Sequence, residues 1–130
     1  MSPTSADRGE ISTEIVILAP VLFALAFAIV NVATFWMSAH TASAAATRGA
    51  RAASMGLNSR DSFELGVQAV EQTVHELSGS LASPPKVEFT ERWVRVTVEM
   101  GFSRFVPFMP QFVRRSVEMP RESYVRESER

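Results

Sequence analysis

Two carboxylates and a glycine stand at the head of this sequence in a spacing that asks for an explanation. Gly9 is followed by Glu10-Ile11-Ser12-Thr13, then Glu14, and Glu14 is followed by an apolar run from Ile15 to Met37. A carboxylate against such a run is costly unless it stays at a membrane interface or finds a partner. In the first turn of a helix the macrodipole also favours an anion. That accounts for Glu14 but not for the glycine five residues before it. No other constellation of reactive residues competes. His40 and His75 are the only histidines, and neither has a partner at metal spacing. His75-Glu76 lacks a second histidine four residues away, so it makes no zinc-protease motif. There is no cysteine, hence no thiolate metal site, thiol nucleophile or disulfide framework. A glycine-rich phosphate loop and a Gly-x-Ser-x-Gly elbow are both missing. The expectation is a protein that is not an enzyme and holds no metal or cofactor.

The element that positions Glu14 is the run IVILAPVLFALAFAIVNVATFWM, 23 residues without a charge. As a helix it measures about 35 Å, enough to cross a hydrocarbon core of about 30 Å with a little tilt. Thirteen of its residues are Leu, Ile, Val or Phe. At about −0.3 to −0.6 kcal/mol each they favour insertion, and Pro20, Asn31 and Thr34 take back only part of it. Pro20 lies near the start, where a kink costs least. Trp36 suits the far interface. A cleaved secretory signal fits less well, because the apolar core is too long and the segment before it has one Arg against three acids. The flanking charges do not orient the helix.

A short hydrophilic leader ending in Gly9, with Glu14 at the fifth following position and an apolar span after it, resembles the type IV prepilin processing signal. Pro20 six residues after Glu14, the span, and then Arg48-Gly49-Ala50-Arg51 in an Ala-rich stretch together resemble the TadE-like family, minor pseudopilins of Tad (Flp-type) pilus systems. The resemblance covers roughly residues 9–56. It implies a membrane-bound prepilin peptidase cutting after Gly9 on the cytoplasmic side, so that Glu10 becomes the first mature residue. It also implies an assembly role for Glu14, with partners among other pilin-like subunits and the Tad assembly platform. The implied location is the cytoplasmic membrane, single-pass, with the N-terminus inside and the C-terminal part outside, and a place in a surface filament is one destination. The competing reading is an uncleaved single-pass anchor serving as an interaction module of an envelope complex.

Beyond the span, Ser38 to Ser54 is rich in Ala, Ser and Thr, so the helix is expected to continue out of the bilayer. Gly56 with Asn58 is expected to end it through a left-handed cap. Ala45, Gly49 and Ala53 share a face, with Arg48 and Arg51 beside it. That face either admits another helix closely or is a by-product of Ala-rich sequence. Asp61 with Glu64 reads as the start of a second helix. Its apolar stripe is Phe63, Val67, Val70, Val74, Leu77 and Leu81, expected to cover a sheet, with Gly79 and Pro84-Pro85 ending it. Lys86–Thr90 and Trp93–Met100 read as strands joined by Glu91-Arg92, with Val94, Val96 and Val98 on one face. Pro107 and Pro110 break the chain before a candidate third strand, Phe112–Met119.

These readings divide the chain into a leader (1–9), a transmembrane helix with its extension (10–56) and a small domain (57–130) whose charged tail begins near 120. The expected fold class is α+β: a long N-terminal transmembrane helix, then one amphipathic helix on a two- to three-stranded antiparallel sheet. Thirteen basic against fourteen acidic residues give a net charge of −1, which removes the main electrostatic ground for nucleic-acid binding. Membrane lipid is the expected surrounding of the span.

Overall fold

The computed structural model describes the backbone of residues 7–102 and 110–121, with side chains from Glu14 onward. The first six leader residues, Pro107 and the tail from 122 lie outside the described residues. Five elements follow in order: α1 (Asp7–Ser54), α2 (Ser59–Glu76), β1 (Lys86–Phe89), β2 (Trp93–Gly101) and β3 (Phe112–Pro120). The strands form one antiparallel meander in the order β1-β2-β3. The fold is α+β, with a three-stranded sheet.

Alternation builds the sheet. Val94, Val96, Val98 and Met100 are buried on the inner face of β2, while Trp93, Arg95, Thr97 and Glu99 take the outer face. Branched side chains fit this half-buried, pleated surface. The β1–β2 turn closes on Thr90 N–H donating to the Trp93 carbonyl at 2.8 Å, leaving Glu91-Arg92 as a two-residue loop. Trp93 pairs with Pro120 and Gly101 with Phe112, so β2 and β3 match along their full length.

The cover on this sheet differs from expectation. The second half of α1, not α2, makes the most extensive contact with β2 and β3, while α2 lies mainly against α1 and touches β1. Ala42, Ala45, Ala46, Ala50 and Ala53 of α1 join Val70 and Val74 of α2 and the β2 valines in one core. Alanine explains the choice. A helix face of methyl groups can approach a sheet of valines closely, and each fully buried valine contributes about 1.5–3 kcal/mol.

The boundaries of α2 also differ. Asn58 is the N-cap in place of Asp61, its Oδ1 accepting from the N–H groups of Arg60 and Asp61 at 3.0 and 2.9 Å. The buried face is Ser62, Gly66, Val70, Thr73 and Val74; Phe63 and Leu77 stay about half exposed, and Leu81 lies past the helix as a bridge to Met100. The stripe is turned because α2 rests on small residues of α1, to which Ser62 and Gly66 can come closer than Phe63. Gly56 does not supply a left-handed cap, since no described glycine has positive φ. A Cβ there would stand 2.4 Å from the Ser62 nitrogen, so the close approach of the α2 backbone is what requires glycine.

The helix stops before Gly79. Gly79 N–H donates to the Val74 carbonyl at 2.8 Å and Ser78 N–H to the His75 carbonyl at 3.1 Å, the paired bonds of a Schellman end. Ser78 occupies the left-handed position at φ 53°, where a side chain is strained. Ser78→Gly should therefore raise stability by about 0.5–1 kcal/mol, the strain relieved less the added freedom of the unfolded glycine. Urea unfolding of the full chain in detergent, followed by the near-ultraviolet signal of Trp93, would read this shift.

On the outer face the charges pair across strands. Arg95 donates to Glu118 at 2.9 Å and lies over the Trp93 ring at 4.9 Å. The hydrogen bond to Glu118, then its charge, hold the Arg95 guanidinium above its ordinary pKa. Glu99 accepts from the Ser83 hydroxyl at 2.9 Å and from Arg114 Nε at 2.6 Å. The Ser83 bond first, and Arg114 next, hold the Glu99 carboxyl below its ordinary value of about 4.5. A depressed carboxyl contributes stability that is complete above its unfolded-state pKa and is lost as pH falls through the folded one. Stability should thus decline from about pH 4.5 downward, and Glu99→Gln should make that decline shallower. An unchanged acid limb in thermal melts of the variant would contradict this assignment.

Candidate membrane and assembly site

α1 is one helix in two environments. Its 48 residues extend about 72 Å. From Glu14 to Val30 nearly every side chain is exposed, including Ile15, Val16, Ile17, Leu22 and Phe23. From Ala39 to Ser54 one face is buried in the core, at spacings of three and four. Among the described residues, α1 is the one helix long and apolar enough to cross a membrane. So wide an apolar surface has no place in water.

Each expected site residue has a definite location. Gly9 and Glu10 fall in the first turns of α1, with side chains outside the described residues. Glu14 is exposed at the start of the apolar surface, next to Ile15. Pro20 lies inside the continuous helix. Asn31 is fully buried, its Nδ2 donating to the Phe27 carbonyl at 2.8 Å, and Thr34 donates to the Asn31 carbonyl at 2.9 Å. These bonds let two polar residues sit in an apolar run. Trp36 and Met37 end the run exposed, with Trp36 edge-on to His40 at 4.4 Å.

Ala45, Gly49 and Ala53 are buried. A Cβ on Gly66 of α2 would stand 3.0 Å from that of Ala53, and one on Gly49 would stand 2.5 Å from Val70 Cγ2 and 3.2 Å from the Gly66 carbonyl. The small-residue face therefore receives α2 of the same chain. Arg48, one position along, reaches Glu76 at 2.8 Å and ties the end of α2 to α1. Arg51 is exposed in the last turn, where a cation complements the helix dipole. Among the described residues no group of three His, Asp or Glu could hold a metal ion. Sequence reasoning missed Asn58, Gly66 and Ser62 as determinants of this junction. Asn58 was legible as a cap residue; Gly66 had no local signal, because its role is set by a contact with Gly49 distant in sequence.

Gly49→Val should lower stability by about 1–3 kcal/mol, because overpacking against Val70 and Gly66 outweighs the few tenths gained in helix propensity. Urea unfolding in detergent would measure the loss. The same change at exposed Arg51 should stay within about 0.5 kcal/mol of wild type.

The junction, the apolar half of α1 and Glu14 fall together on one stretch of sequence. No curated protein matches the chain, and no solved structure does. Residues 9–51, about a third of the chain, match the family model described as TadE-like protein. The chain thus carries a segment, from Gly9 to Arg51, that is similar to the TadE-like family.

Proposed function

We propose that this protein is a minor pilin-like structural component of a Tad (Flp-type) pilus or related secretion apparatus, anchored through α1 with its folded domain outside the cytoplasm. It acts by helix packing and not by catalysis. The observation that carries the reading is the coincidence, on one TadE-like segment, of Gly9, Glu14 and a bare apolar half-helix. In this reading a prepilin peptidase removes the leader after Gly9. Glu14, at the edge of the apolar surface, then meets the new N-terminal amine of a neighbouring subunit. A carboxylate entering low dielectric strongly favours a cationic partner, whereas an exposed pair gains only about 0–1 kcal/mol.

Glu14→Val separates this from a permanent anchor. Expressed in a strain lacking the chromosomal copy, the variant should insert in the membrane and show Glu10 as its first residue on N-terminal sequencing, yet fail to restore pili or secretion. If Glu14 only complements the helix dipole, the change costs about 0.3–1 kcal/mol of local helix stability and function is retained. Full complementation, or a wild-type N-terminus that precedes Glu10, would sink the pilin-like reading.

A further inference from the structure

The way α1 and β2 run past each other sets the depth of the folded domain. Gly49 lies against Val96, since a Cβ on Gly49 would be 3.2 Å from Val96 Cγ1. Thr41 and Met100 both border the same point beside Gly79. Phe35 meets Phe102 edge-on, with ring centroids 5.6 Å apart. The chains are antiparallel, and the two steps agree in length. Residues 49 to 41 of α1 cover about 12 Å, and residues 96 to 100 of β2 about 13 Å. The end of β2 therefore reaches the level of the last turn of the apolar run, and Gly101 pairs with Phe112 at the head of β3. Phe112 thus stands at about the level of Met37 along the α1 axis, to within about one helical turn, and is 49% exposed.

We propose that this end of the sheet, centred on Phe102 and Phe112, is a second lipid contact: it sits in the membrane interface beside Trp36, so that the domain rests on the bilayer and is not held away from it on a stalk. The inference rests on α1 spanning the membrane. Exposure alone does not distinguish this end, since Leu57 at the opposite tip is 93% exposed. Position does. Phe102 packs on Phe35 within the apolar run of α1, Phe112 stands exposed beside it on the outer face of the sheet, paired with Gly101, and aromatic side chains favour the interface. Contact with zwitterionic lipid suffices, because the attraction is apolar and aromatic.

The absence of cysteine makes a clean test available. Phe112→Cys, Gln111→Cys, Leu57→Cys and Ile29→Cys, each carrying a small fluorophore, are reconstituted as full chains in phosphatidylcholine vesicles. Quenching is read with iodide from water and with spin-labelled lipid bearing the label near the headgroup or deep in the chain. Positions 111, 112 and 57 lie on one side of the membrane, so mixed orientation affects them alike. Labels at 111 and 112 should be quenched several-fold less by iodide than the label at 57, and more by the shallow lipid label. The label at 29 should respond to the deep one. If 111 and 112 behave like 57 while 29 is quenched by lipid, the second contact is wrong and the span stands. Shielding from iodide without quenching by lipid would mean a protein neighbour covers the site, which also overturns the proposal. A label at 29 that lipid does not quench removes the membrane reading itself.

Discussion

One helix must satisfy two solvents, and the rest of the structure follows from how α1 does so. Its first half presents Ile, Val, Leu and Phe on all sides, the composition that lipid accepts. Its second half changes to alanine, small enough for a sheet and a helix to close over it. The break between the regimes falls at Trp36 to His40, where the two rings meet edge-on. No hinge separates the two halves, because α1 is continuous from Asp7 to Ser54. Any force or tilt imposed on the span is therefore transmitted directly into the core of the domain.

The small residues at the α1–α2 junction serve that coupling. Gly49, Ala53 and Gly66 allow the two helix backbones to approach closely, and the ion pair of Arg48 with Glu76 pins the far end of α2. That pair is exposed and contributes little alone. Its value lies in fixing which face α2 offers to α1. Phe63 and Leu77 remain partly open as a result, although sequence periodicity assigns them to the buried stripe.

Much of this was legible in the sequence because it is local. The uncharged run from Ile15 to Met37 announces a span whatever follows it. Alternation in Val94, Val96 and Val98 places β2, and the two-residue turn Glu91-Arg92 follows from the pairing it must close. What escaped depends on distance along the chain. Periodicity gives α2 an apolar side, but the partner that turns it toward Ser62 and Gly66 is the alanine face of α1. The cap at Asn58 and the left-handed Ser78 escaped for another reason. Each is one of several neighbouring residues able to do the work, and tertiary packing decides among them. For the candidate site, Gly9, Glu14 and Pro20 were singled out by a resemblance in their spacing, whereas the reason for Gly49 needed Val70 and Gly66 in view.

The TadE-like match ends at Arg51, three residues before α1 itself ends, while the sheet and α2 lie beyond it. The segment it covers is the part whose physics is least negotiable. A membrane span tolerates few charges, and a close helix junction tolerates few side chains. The sheet answers to a weaker constraint. Any alternating strands of adequate length can cover an alanine face, and their outer surface is free to vary so long as pairs such as Arg95 with Glu118 and Arg114 with Glu99 keep it soluble.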